Sequence, residues 1–189
     1  MIARVRNILV KEWIGMATSP SSLLFGAAIP LLLVGQALFL AWILPRFIAP
    51  GALGMHSPGG ENLTEVDRFR VLILSQFRFF VLLIPAMIAN VFATLSVVEE
   101  KITRTLEPLL ATPVRTWELL VGKTLSGAIP AVVISWASAG LFVLLASALG
   151  WGKLLDHILT PAWYLSLFLL IPAVSIMSFV LGVIGSSRA

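Results

Sequence analysis

Four long stretches of this sequence carry no charged side chain, and that pattern limits the fold more than any other. They cover residues 22–44, 79–98, 124–150 and 158–185. The first lies inside an uncharged run over 13–45, and the apolar character of the second begins near Val71, with Arg78 interrupting it. Each reaches the roughly 20 apolar residues that an α-helix needs to cross a bilayer. Charged residues make up only 12% of the 189, against about 25% in soluble domains. Hydrophobic residues reach 59%. Such a chain cannot coat a water-facing globule, which argues against a soluble enzyme, a disordered tail or a nucleic-acid-binding domain. The net charge of +4 is small, and the basic residues read as topology signals. With no cysteine there is no disulfide framework, thiol nucleophile or Cys-ligated metal. Backbone in lipid must form helices or a closed barrel, and the period-2 alternation of barrel strands is absent. The expected fold is an all-α integral membrane protein with four transmembrane helices.

Lysine and arginine set the expected orientation. Arg4, Arg6, Lys11, Lys101, Arg104, Arg115, Lys123 and Arg188 fall on one side; Arg46, Arg68, Arg70 and Lys153 fall on the other. This bias of about two to one places both termini and the 99–123 segment in the cytoplasm. A cleaved signal peptide fits poorly, because the first apolar stretch is too long and lacks a clean cleavage pattern.

Between the spans the chain is organised by amphipathic and turn signals. Residues 1–20 read as an interfacial helix. Ile2, Val5, Leu9, Trp13 and Met16 share one face, Arg4, Asn7 and Lys11 another, and Pro20 ends it. The remaining 21–189 form the transmembrane domain. Residues 46–70 form an outer loop with turn signals at Pro50-Gly51 and Ser57-Pro58-Gly59-Gly60. Glu61, Glu65, Asp67, Arg68 and Arg70 fit a short helix returning to the bilayer, and Asn62-Leu63-Thr64 matches the glycosylation pattern. Each span holds an internal proline, Pro30, Pro85, Pro130 or Pro172, which frees a carbonyl that neighbours must satisfy. Rows of small residues, Ala131-Ser135-Ala139 and Ser178-Gly182-Ser186, suit close helix packing. Arg78 belongs at the outer rim of the second span. Asn90 suits an interhelical hydrogen bond, and Trp42, Trp151 and Trp163 fall near outer boundaries, as an aromatic belt would. His56 and His157 do not suggest a metal site.

The segment 99–123 reads EEKITRTLEPLLATPVRTWELLVGK and holds eight charges, four of each sign. It cannot lie in hydrocarbon, where a central charge costs roughly 2.5–3.5 kcal/mol even on a lenient scale. Leu106, Leu109 and Leu110 form one apolar group; Val114, Trp117, Leu120 and Val121 form another. Thr112-Pro113 fits an N-cap with proline at the first helical position. The expectation is a short helix around 104–111, a break, and a helix from Pro113 into the third span. An amphipathic hairpin of this kind suits docking to a partner.

This pattern, E-E-K-x-x-R-T-L-E-P-L-L-A-T-P-V-R-x-W-E-L-L-x-G-K after a span, resembles the ABC-2 type ABC transporter permeases. The resemblance runs from about residue 5 to 187 and is most specific in 99–123. It implies a membrane-spanning permease subunit of an ATP-driven exporter. The cytoplasmic coupling helix would seat in a cleft of a separate ATP-binding subunit, assigning Glu99, Glu100, Arg104, Thr105, Leu106, Glu107, Leu110, Thr112 and Pro113 to that contact. It also implies no ATPase site on this chain, ATP and Mg held by the partner subunit, a second permease copy as homo- or heterodimer, and residence in the inner membrane of a bacterium. The N-terminal Lys11-Glu12-Trp13 with Ser19-Pro20 resembles the family's interfacial connecting helix. Six spans are usual in the family. The four here, ending at Gly185-Ser186-Ser187-Arg188-Ala189, resemble a chain stopping before a fifth. No pathway row identifies the substrate.

Three other readings compete. Gly122-Lys123-Thr124 matches the end of a P-loop, but the earlier glycine that motif requires is Trp117. Glu99-Glu100-Lys101-Ile102-Thr103-Arg104 also satisfies the E-E-x-x-x-R of membrane-embedded glutamate proteases. That chemistry needs later histidines, and only His157 follows, in a loop expected on the opposite side. A non-transporting membrane scaffold is the third.

Overall fold

The computed structural model describes residues 2–47, 63–102 and 116–188, and every element among them is helical. In chain order they are α1 (Ile2–Thr18), α2 (Pro20–Phe47), α3 (Glu65–Ser75), α4 (Phe77–Ile102), α5 (Thr116–Ala148), α6 (Gly152–Ile158), α7 (Pro161–Leu165), a π-helical segment (Ser166–Leu170) and α8 (Ile171–Arg188). The chain is an all-α integral membrane protein. Four helical stretches are long and apolar enough to cross a bilayer: Pro20–Phe47, Glu65–Ser96, Val121–Ala148 and Pro161–Gly185. In the first and last, only 22% of the most apolar window is buried inside the protein. The outward faces are instead apolar, with Leu24, Leu32, Phe168 and Leu181 all exposed. Only a hydrocarbon solvent or further apolar helices suit such a surface.

The span boundaries differ from the charge-free runs for local reasons. The stretch Glu65–Ser96 is broken at Gln76, where α3 gives way to α4. At 1.5 Å per residue its 32 residues measure about 48 Å, well beyond a core of about 30 Å. The charge-free residues 79–98 of α4 alone match that core, which leaves α3 and its charges outside it. Ile158, expected to begin the fourth span, instead closes α6, and the span starts at Pro161 with proline in the first helical turn.

Two packed cores lie along the bundle. One gathers Val34, Leu38 and Ala41 of α2, Val71 and Leu74 of α3, Phe77 and Val81 of α4, and Phe142 and Ala146 of α5. Phe77 and Phe142 stack there with ring centroids 4.0 Å apart. The other joins Ile84, Ile88, Phe92 and Ala93 of α4 with Ala131 of α5 and Phe179 of α8. The small residues decide this second contact. Gly127 faces the Phe179 ring so closely that a Cβ would lie 1.9 Å from Cε2. Gly182 sits against Ala93 and Asn90, where a Cβ would lie 2.5 Å from the Asn90 Oδ1. Ala131, Ser135 and Ala139 are buried in the same way. The buried hydroxyls of Ser135 and Ser175 donate back to the carbonyls of Ala131 and Ile171, so they bring no unmet polar group into the core.

The far end of the bundle from α1 is capped by α3 and α6. Thr64 is the N-cap of α3, its Oγ1 accepting the Asp67 N–H at 3.3 Å, and Asp67 in turn pairs with Arg70 at 3.1 Å. Asn62 of the glycosylation pattern lies outside the described residues. The turn into α6 needs Gly150 at φ +82. The Trp151 N–H reaches back to Ala146 and the Gly150 N–H to Ser147, the paired bonds of a Schellman ending. Trp151, Leu154, Leu155 and Ile158 follow 3–4 spacing and are all buried, while Lys153, Asp156 and His157 face outward. Trp151 and Trp163 thus point into the protein rather than forming a lipid-facing belt. Trp42 remains exposed, with the Arg46 guanidinium 3.7 Å above its ring.

Candidate functional site

At the opposite end, α1 is tied to two spans. Ser96 of α4 donates its hydroxyl to the Glu12 carboxylate at 3.1 Å. The Trp13 indole N–H donates to the Ser126 carbonyl of α5 at 3.0 Å. That carbonyl has a specific reason to be available. In an α-helix it would accept from residue 130, but Pro130 has no N–H. Trp13 therefore takes the place of the missing ladder bond. The outer face of α1, with exposed Val10, Ile14, Lys11 and Arg6, has the mixed character of an interfacial helix.

The same device recurs at the fourth span. Within the π-helical segment the Ile171 N–H donates to Ser166, five residues back. The next donor in that register would be residue 172, directed at Leu167, and it is a proline. The Trp136 indole of α5 donates to the Leu167 carbonyl at 2.9 Å, and its ring meets Phe168 at 5.7 Å. Two carbonyls freed by prolines are thus each capped by a tryptophan from another helix.

The flanks of the segment singled out from the sequence lie at the α1 end. Residues 99–102 close α4, and residues 116–123 open α5. Glu99 and Glu100 lie in the last turn of α4. Arg104, Thr105, Leu106, Glu107, Leu110, Thr112 and Pro113 lie outside the described residues, as does the helix expected around 104–111. Gly122-Lys123-Thr124 lies inside α5 with Lys123 buried, so it is not a phosphate-cradling loop. The glutamate-protease constellation is not assembled either. His157 lines a cleft with Arg78, near the start of α4, whereas Glu99 is 21 residues further along that helix, about 30 Å away at 1.5 Å per residue. Among the described residues no cluster of three or more metal-ligating side chains occurs.

A family model described as ABC-2 family transporter protein matches residues 6–188, nearly the whole chain. The chain belongs to the ABC-2 transporter family. No curated protein and no solved structure matches it. An ABC-2 permease works in a transporter that includes an ATP-binding subunit, and this chain has four helical stretches long and apolar enough to span a membrane. Sequence reasoning singled out the 99–123 segment from its leucines and charges, of which those in 103–115 lie outside the described residues. It missed the two indole–carbonyl ties, whose only sequence signal is a proline within each receiving helix.

Proposed function

We propose that this permease is the membrane-spanning subunit of an ATP-driven exporter. It would couple ATP hydrolysis on a separate subunit to substrate movement through docking of the 99–123 segment. Glu99, Glu100, Arg104, Thr105, Leu106, Glu107, Leu110, Thr112 and Pro113 form the docking element, with the leucines filling a cleft and the charges selecting register. ATP and Mg belong to the partner subunit, and a second permease copy completes the assembly. The chain resides in a bacterial inner membrane with both termini in the cytoplasm.

The observation that carries this reading is the tie of α1 to α4 and α5 at the end where the segment emerges. A pull or push on the segment acts directly on those two spans, and through Trp13 on α1 as well. Differential binding of the segment between two partner states is what would shift the spans. Co-expression of the permease with its ATP-binding subunit tests this. Leu106→Ala with Glu107→Ala should abolish co-purification and stimulated ATPase activity while thermal unfolding of the spans stays unchanged. Retained co-purification and stimulation would refute the docking assignment.

A further inference from the structure

At the end of the bundle away from α1, a cleft of about 350 Å³ opens between the α3–α4 junction and the α6–α7 turn. One wall is apolar, built from Val71, Leu72, Ile158 and the Trp163 ring. The other is polar, with Ser75, Gln76, Arg78, His157 and Thr160. No ion pair engages Arg78 or His157 among the described residues. The nearest carboxylates along the chain are otherwise placed: Asp67 pairs with Arg70, and neither Asp67 nor Asp156 lines the cleft.

Depth in the membrane makes the cleft informative. The charge-free residues 79–98 of α4 match the hydrocarbon thickness, so Arg78 stands at its boundary, where phosphate groups begin. Phe79, Tyr164 and Leu165, adjoining the cleft in sequence, are exposed apolar side chains that suit acyl chains. The same end of the protein carries Arg46, Arg68, Arg70, Arg78 and Lys153 against Glu65, Asp67 and Asp156, an excess of positive charge among the described residues. We infer that the cleft binds the headgroup of an anionic phospholipid from the surrounding leaflet. Arg78 pairs with the phosphate, His157, Gln76 and Thr160 offer further hydrogen bonds, and Trp163 lines the side where the tail departs. A guanidinium at a phosphate makes charge-assisted bonds, stronger than neutral ones. The site is independent of the ATP-binding subunit and of the coupling reading.

Native mass spectrometry of the purified full chain in neutral detergent tests this, with phosphatidylglycerol, phosphatidylcholine or inorganic phosphate added. One phosphatidylglycerol per chain should be retained at about tenfold lower concentration than phosphatidylcholine, which offers Arg78 the same phosphate but brings a choline cation into the excess positive charge at this end. Arg78→Gln should remove that preference, Arg78→Lys should keep most of it, and Arg46→Gln, at the same end but stacked on Trp42, should leave it intact. His157→Ala, at an exposed position, should weaken retention about threefold, and it serves if Arg78→Gln fails to fold. Equal retention of the two lipids, or an unchanged preference in the Arg78→Gln and His157→Ala proteins, overturns the inference. Binding of inorganic phosphate without lipid preference also overturns it, making this a free-anion site.

Discussion

Single atoms decide how closely these helices approach. At Gly127 a methyl group would enter the Phe179 ring, and neither the α5 backbone nor a buried aromatic in a packed core yields easily. Gly127→Ala should therefore destabilise the permease by about 1–3 kcal/mol, the usual cost of overpacking. Gly140, on the same helix, has open space where its Cβ would go. There the substitution should stabilise by about 0.5–1 kcal/mol, because alanine is the better helix former. Opposite signs for two identical changes on one helix, measured by denaturant unfolding in mixed micelles, would separate the contact from helix propensity. A second residue-scale case is Trp136. Replacing it with Phe keeps a ring against Phe168 but removes the donor to the Leu167 carbonyl. An unmet carbonyl in a water-poor environment costs about 1–3 kcal/mol, so Trp136→Phe should lower stability by that order in the same unfolding measurement.

Pairs of elements show where the sequence could be read and where it could not. The prolines were legible, and so was the requirement that each freed carbonyl find a donor. The donors were not: Trp13 and the Ser126 carbonyl stand 113 positions apart, and no local pattern links them. The helix over residues 2–18 followed from its spacing, but its attachment to α4 and α5 emerged only once the bundle was assembled. The short caps α3 and α6 were partly legible. The charges from Glu61 to Arg70 signalled a short helix where α3 forms, while α6 lies in what reads as a loop between the third and fourth apolar runs, with only Ile158 read into the fourth. If Trp13 serves as the missing ladder donor, its value depends on Pro130. Trp13→Phe should cost about 1–3 kcal/mol in the native chain. In a Pro130→Ala background, which restores an N–H directed at Ser126, the cost should fall by at least about 1 kcal/mol. A double-mutant cycle on unfolding free energies reads this coupling, and additive effects would mean that the indole does not act through that carbonyl.

For the whole molecule, composition alone made the helical membrane fold legible, because so few charges leave the bilayer as the one solvent that suits the surface. The expectation of a coupling segment rests on the converse reasoning: charges and leucines concentrated between two spans fit neither lipid nor a plain polar loop, and residues 103–115 lie outside the described ones. Its contacts were not legible, since a docking surface is defined by a partner that the sequence does not contain. Orientation links the two levels, because an ATP-binding subunit can grip the segment only from the cytoplasm. The absence of native cysteine makes this directly measurable. Ala111→Cys places a single thiol in the coupling segment, and Gly59→Cys places one in the loop before α3. Ile102 and Thr116 flank the first site, next to the α1 end, whereas α3 caps the opposite end. A membrane-impermeant maleimide applied to intact cells should modify the Gly59→Cys protein and leave the Ala111→Cys protein unmodified until the membrane is permeabilised. The reverse pattern would turn the bundle over, put the leucine-bearing hairpin outside the cell, and remove the physical basis for ATP-driven coupling through it.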